Sequence, residues 1–300
     1  MPSLAYDLII AAIVGGIPTY FAYTWKHRKP VTPLHLALGA VLVVVAYGSF
    51  VEPRMLVVVD YAADIAPATA APAEKHTMTI AVISDMHLGT YRHAEWITRV
   101  VAAANARHPD MVLLAGDLAS EEAGIAGFKP LADLESRYGT FAVLGNWDYR
   151  VGAVTVRRAI ESQKVEVLTN ESVLLGPPDA PLRLAGLDDL KYGKPDWDAA
   201  LAEAKAGEPV VMLAHNPDAA YQAEVRGVPM VIAGHTHGGQ IRLPFIGAVP
   251  PLPTKLGHDF DRGVLHMGPV TLFITPGVGE SGPRARFLQP PEVSILHLTY

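Results

Sequence analysis

Five short polar clusters in this chain carry the side chains that chemistry on a phosphate would need. They are Asp85-Met86-His87, Gly116-Asp117, Gly145-Asn146-Trp147-Asp148, His215-Asn216 and Gly234-His235-Thr236-His237-Gly238. Carboxylate, imidazole and amide donors without thiolate suit Mn, Fe or Zn. The chain has no cysteine, which excludes disulfides and thiolate zinc sites. Residues two apart in an extended segment point the same way, so Asp85 and His87 are expected to reach one ion, and His235 and His237 likewise. Asp117 can bridge two ions through its two oxygens, and Asn146 offers a neutral carbonyl oxygen. Two divalent ions about 3.5–4 Å apart can hold a hydroxide and clamp both the attacking and the leaving oxygen of an in-line displacement. The neighbouring glycines let a phosphate approach the backbone. Taken singly the clusters are weak: Gly-Asp after a strand is commonly a turn, and His215 alone could be a hydrogen-bonded core histidine. Two histidines in a glycine frame make a poor core strand. Five clusters in this order, each after an apolar run, carry the metal reading together.

The elements that position them follow from those apolar runs. Residues 78–83, 111–115, 141–144, 209–214, 229–233, 271–275 and 293–298 are short, apolar and rich in β-branched side chains, and they read as buried strands. Helical patterns over 94–106 and 197–206 separate some of them. Strands alternating with helices predict an α/β domain, whose ligands gather at the carboxyl ends of the strands. Residues 63–73, rich in Ala and Pro, read as a linker. The expected organisation is a membrane anchor over 1–54, a linker and first strand over 55–76, and a catalytic domain over 77–300.

The anchor follows from residues 4–25 and 34–51, two apolar runs long enough to span the hydrocarbon core, which takes roughly 17–25 residues. Tyr6, Tyr23, Trp25 and Tyr47 lie at their ends, where interfacial aromatics belong. A cleaved signal peptide is the alternative, but it would begin with basic residues, and the basic cluster Lys26-His27-Arg28-Lys29 follows the first run. The positive-inside rule puts that loop in the cytoplasm, and so the catalytic domain on the outer face of a bacterial inner or plasma membrane. Net charge is -6, so no broad basic surface points to nucleic acid.

The ordered set Asp85-x-His87, Gly116-Asp117, Gly145-Asn146, His215 and Gly234-His235-Thr236-His237 resembles the calcineurin-like metallophosphoesterase superfamily, over roughly residues 52–300. Gly238-Gly239-Gln240, Gly277-Val278-Gly279, Arg286-Phe287 and Pro290-Pro291-Glu292 resemble its bacterial membrane-associated or exported branch. The resemblance implies a four-layer αββα sandwich after the two transmembrane helices, and two divalent ions, Mn, Fe or Zn. Asp85, His87 and His237 would hold the first, Asn146, His215 and His235 the second, and Asp117 would bridge them. Asp117, Asn146, His235 and Trp147 are the residues expected at the reacting phosphorus. Trp147 departs from the family pattern, which has a histidine there that assists the leaving group. An indole donates one hydrogen bond and shuttles no proton at ordinary pH. Trp147 therefore either marks a lost acid or stacks on part of the substrate.

The expected activity is hydrolysis of a phosphodiester or pyrophosphate bond in a phosphorylated small molecule or lipid-linked substrate at the membrane. One specific version is a UDP-2,3-diacylglucosamine pyrophosphohydrolase of lipid A synthesis, whose cytoplasmic substrate conflicts with the topology. The non-enzymatic alternative is a metal-bearing protein that binds phosphorylated ligands without turnover. Residues 241–256, with Phe245-Ile246-Gly247-Ala248-Val249-Pro250-Pro251-Leu252-Pro253, are expected as a covered loop; the alternative is an apolar lip beside the active site.

Overall fold

The computed structural model describes residues 2–66, 75–282 and 284–300, with side chains from residue 6 onward. Two helices come first. Helix α1 is Pro2–Lys26 and α2 is Pro33–Ala46, which continues through a π turn, Tyr47–Val51, and a 3-10 turn, Glu52–Arg54. Pro33 sits at the first helical position of α2, where its missing N–H costs nothing. Tyr6–Lys26 and Pro33–Arg54 are each long and apolar enough to cross a membrane. Little of either is buried against the rest of the protein, unlike the core helix of a soluble domain.

The domain that follows starts with β1 (Val57–Asp64) and β2 (Thr77–Ile83), then α3 (Ala94–Asn105), β3 (Met111–Ala115), β4 (Thr140–Val143), α4 (Asn146–Val151) and α5 (Ala153–Glu161). Next come β5 (Glu166–Val167), β6 (Glu171–Leu175), β7 (Leu182–Gly186), α6 (Trp197–Ala200), β8 (Val210–Leu213), α7 (Ala220–Arg226) and β9 (Met230–Ala233). The chain closes with a small hairpin, β10 (Arg242–Leu243) and β11 (Gly247–Ala248), then β12 (Gly263–Met267), β13 (Val270–Ile274) and β14 (Glu292–Thr299).

The long strands form two six-stranded sheets, ordered β1-β14-β2-β3-β4-β5 and β12-β13-β9-β8-β7-β6. Three apolar layers hold them. Ile80, Val82, Leu113, Leu213, Ile232 and Phe273 meet between the sheets. Trp96, Ile97, Val100, Val156 and Ile160 of α3 and α5 cover the outer face of the first sheet. Trp197, Ala220 and Ala223 of α6 and α7 cover the outer face of the second. This is the four-layer αββα sandwich.

Two expectations are corrected. Ala63 and Asp64 belong to β1, which pairs parallel with β14 from Val57↔Glu292 to Asp64↔Thr299, so the linker does not begin at 63. Residues 67–73 of that expected linker lie outside the described residues. The helix expected over 197–206 is one turn: Leu201 leaves the helix at φ −104°, and Ala202, Glu203 and Lys205 are exposed. Alanine propensity does not sustain so short a helix once its apolar face runs out.

Candidate metal centre

Parallel pairing puts the carboxyl ends of β2, β3 and β4 side by side in one sheet, and those of β8 and β9 side by side in the other. Asp85 and His87 follow β2, Asp117 follows β3, Asn146 opens α4 after β4, His215 follows β8, and His235 and His237 follow β9. All seven expected ligands therefore meet at one edge of the sandwich, and all but the half-buried His235 are buried.

They divide into two donor groups, Asp85 with His87 and His237, and Asp117 with His215 and His235. His237 Nε2 lies 3.3 Å from Asp85 Oδ1 and 3.2 Å from His87 Nε2. His215 Nε2 lies 3.2 Å from Asp117 Oδ2 and 3.0 Å from His235 Nδ1. His235 and His237 thus face different groups, contrary to the expectation that they share one ion. The reason is the backbone: φ is +71° at His235 and +54° at His237, so this segment is not extended. Asp85, His87 and Asp117 also sit at positive φ, +53°, +46° and +52°. Side chains rarely adopt this region, and strain of this kind clusters where function requires a side chain to be aimed. Asp85 and His87 do reach the same group, through a curled loop instead of an extended one.

Asp117 lies between the two groups. Its Oδ1 accepts the Trp147 backbone N–H at 2.7 Å, while Oδ2 lies 3.2 Å from His215 Nε2 and 3.6 Å from His87 Nε2, one residue of each group. His215 Nδ1 is 2.8 Å from the Ala115 carbonyl, to which it can only donate, so its Nε2 lone pair points at Asp117. His87 Nδ1 is likewise engaged, by Ser120 Oγ at 2.8 Å.

This donor set calls for cations. Asp85 Oδ1, Asn146 Oδ1 and His237 Nδ1 are buried without a hydrogen-bond partner, and such orphans are rare in native interiors. At His215 and Asp117 a lone pair faces a carboxylate oxygen, which only a proton or a metal can reconcile. Protons do part of this in the metal-free protein. Burial alone would lower the His215 pKa, but the Asp117 carboxylate outweighs it and pushes it up to about 10. Burial and the positive charge of His215 bring His235 down to about 3. Burial brings His87 down to about 4 and holds His237 well below its ordinary value. The residues present therefore fit two divalent ions: Asp85, His87 and His237 around one, His215, His235 and Asn146 around the other, with Asp117 between.

Glycine is required behind these ligands, as two positions at positive φ show. At Gly116, φ +83°, a Cβ would stand 2.7 Å from His215 Nδ1; at Gly277, φ +70°, one would stand 2.8 Å from Asp85 Cβ. The Gly277-Val278-Gly279 segment is therefore the floor under Asp85. The buried Arg286 guanidinium holds that floor by donating to the carbonyls of Pro276, Gly277 and Gly279. Asp148, whose role sequence reasoning missed, ties the loops together: Oδ1 accepts from Leu118 N and Ala119 N, Oδ2 from Gly145 N. Its place in the Gly145–Asp148 cluster was the available signal.

A cleft of about 320 Å³ opens over the centre, lined by Asp117, Asn146, His235 and His237 and, further out, by Trp147, Arg150, Lys191 and residues 250–253. The covered-loop expectation for 241–256 is thereby corrected. Phe245, Ile246 and Val249 are exposed, and the prolines form a wall of the cleft. Only the short β10–β11 pair, Arg242↔Ala248 and Leu243↔Gly247, forms here, and its turn carries Phe245 and Ile246 outward. Trp147 stands between this cleft and a second cavity lined by Thr90, Tyr91 and Arg284, with its ring edge-on to His87 at 5.8 Å.

Fold and site together define a two-metal phosphoesterase scaffold. The chain belongs to the calcineurin-like phosphoesterase family, whose model matches residues 78–239. An uncharacterized metallophosphoesterase of Helicobacter pylori is 33% identical over 230 residues, 74% of this chain and 60% of that one. Phosphodiesterase YaeI of Escherichia coli is 29% identical over 226 residues, 73% of this chain and 81% of that one. A zebrafish (Danio rerio) transmembrane protein with metallophosphoesterase domain is 28% identical over 284 residues, 89% of this chain and 62% of that one. The chain thus spans about 60% of the length of the Helicobacter relative.

Proposed function

We propose that the chain is a membrane-anchored hydrolase of phosphodiester or phosphoanhydride bonds. The observation that carries this reading is Asp117 Oδ2, set between two donor groups that contain orphaned buried atoms. Net reaction adds water across one P–O bond, giving a phosphomonoester and an alcohol, or two phosphates from an anhydride. Bound divalent ions would supply Lewis acidity and an activated water, and the nitrogen and oxygen donors suit Mn, Fe or Zn. The chain's own residues do the orienting. The Trp147 N–H fixes Asp117, the Ala115 carbonyl fixes His215, and Ser120 fixes His87. Partners of this kind set ligand direction and basicity.

No imidazole stands at position 147 to protonate the leaving oxygen. Leaving groups that depart readily as anions, such as a phosphate or a phenolate, are therefore favoured over alkoxides. A name among the relatives, phosphodiesterase, supports the ester class. The two apolar helices and a relative named as transmembrane support the anchor. Lys26, Arg28 and Lys29 between the helices support an exocytoplasmic domain. The exposed Phe245, Ile246 and Val249 beside the cleft support a substrate drawn from the membrane, a phosphorylated or lipid-linked molecule.

The test is hydrolysis of bis(p-nitrophenyl) phosphate by the full chain with added manganese. Asp117→Asn and His237→Ala should each lower metal content and rate together, by roughly a hundredfold in rate. Full activity in either variant removes the ligand assignment. A metal-loaded wild-type protein that hydrolyses no phosphoester leaves ligand binding without turnover as the function.

A further inference from the structure

The arginines of the neighbouring second cavity, and the one in β10, already have an anion. Arg92 pairs with Glu280 at 2.5 Å and Arg284 with Asp7 at 3.1 Å, while Arg242 pairs with Asp261. Arg150 and Lys191, which line the cleft over the metal centre, form no ion pair among the described residues. Arg150 is nevertheless held in place. Its guanidinium carbon lies 4.7 Å from the Trp147 ring centroid and 5.4 Å from that of Tyr192, and Nη2 donates to Tyr192 Oη at 2.9 Å. Stacking against two rings lowers the rotamer freedom that a free arginine would lose on binding.

The other side of this clamp is a built turn. Asp189 Oδ1 accepts the backbone N–H groups of Lys191 and Tyr192 at 3.1 and 2.7 Å, and Asp188 Oδ2 accepts that of Lys194 at 2.8 Å. The turn projects Lys191 and Tyr192 toward α4, which carries Arg150 one helical turn after Asn146. Two unpaired cations, one of them fixed, thus stand within the same cleft as the ligands of the second donor group.

We propose that Arg150 and Lys191 form a subsite for a second anionic group of the substrate, so that the preferred substrate carries two adjacent phosphates. This rests on the phosphoester-hydrolase reading above and narrows its substrate class to a pyrophosphate-linked ester. Trp147 then gives up the proton-donating role of an imidazole and serves as the platform for Arg150. A phosphate leaving group needs no proton at the moment the bond breaks, which makes the two features of the site consistent.

The experiment compares the p-nitrophenyl ester of thymidine 5′-monophosphate, with one anionic phosphorus, and that of thymidine 5′-diphosphate, with two, using full-length manganese-loaded protein. Arg150→Gln should raise KM for the diphosphate ester about tenfold, the scale of one charge-assisted contact, and leave the monophosphate ester within about twofold. Lys191→Gln should act in the same sense and more weakly, and Arg150→Lys should recover part of the loss. Equal losses on both esters, from whatever cause, overturn the proposal, as does the absence of any change. A wild-type protein that turns over neither ester overturns the hydrolase reading instead.

Discussion

His215 shows how a single residue couples metal uptake to pH. In the metal-free protein, burial acts to lower its pKa, but Asp117 raises it to about 10, so the ring is cationic at neutral pH. A metal can bind only the neutral ring, so the proton must leave. His87 and His235, at about 4 and 3, are already neutral and release nothing. Metal affinity should therefore rise about tenfold per pH unit between pH 7 and 10 and level off above. Asp85, raised to about 6 chiefly by burial, should steepen the dependence below that value. Isothermal titration of the metal-free protein with manganese in buffers of different ionisation heat would count about one proton released at pH 8. No proton release would show that His215 is not a cation displaced by the metal. The same ion pair bears on folding. The raised pKa stabilises the metal-free fold fully below about 6.5, and that contribution is lost as pH rises through about 10.

At the scale of elements, one carboxylate ties the end of the helical hairpin to the segment that supports the metal centre, beside the Arg286 N–H bond to the Gly48 carbonyl. Glu52, buried at the end of the second apolar segment, accepts the backbone N–H groups of Leu288 and Gln289 at 2.9 and 2.5 Å. Those residues follow Arg286, which holds the floor under Asp85. Glu52→Ala leaves the buried Gln289 N–H unpaired and the part-buried Leu288 N–H to water, a loss of about 1–3 kcal/mol. Thermal unfolding in detergent should drop accordingly, and manganese affinity with it. Glu52→Gln, which keeps one acceptor, should lose less. Unchanged affinity would mean that the hairpin and the centre are energetically independent. None of this was legible beforehand, because Glu52 reads as one charge after an apolar run and its partners lie at the other end of the chain. The ligand clusters were legible because each follows a β-branched run and needs only local sequence. Strands β7 and β12 were not, since Arg183 and His266 interrupt their apolar patterns, and β6 opens on Glu171 and Ser172, so pairing alone defines all three. Arg150 and Lys191 were missed for the same reason: separate surface cations become a cluster only when α4 meets the turn at 188–194.

For the whole molecule, the helical hairpin is fixed against the domain. Asp7 of α1 binds Arg284 and Tyr91, and Tyr6 Oη lies 3.0 Å from Ser49 Oγ, so the domain side of both helices is pinned to the loops around the second cavity. The basic loop lies at the opposite end. With Lys26, Arg28 and Lys29 in the cytoplasm, alkaline phosphatase fused after Tyr300 should be active and a cytoplasm-only reporter silent; the reverse pattern would overturn the exocytoplasmic orientation.

The pairing of β14 has a consequence for the order in which the protein can be made. Strand β14 lies between β1 and β2, parallel to one and antiparallel to the other. During synthesis, β1 and β2 leave the ribosome long before residues 292–299 exist. Until then β1 is bonded to no strand of the first sheet, and β2 is left as its edge, unpaired beside Ile80 and Val82. An open apolar edge of that kind invites pairing with other chains. The helical hairpin is complete by residue 54, so nascent chains can be tethered to the bilayer and kept apart from one another throughout that interval. A membrane-inserted hairpin would then act first on the growing polypeptide, by limiting its encounters, before it acts on any substrate.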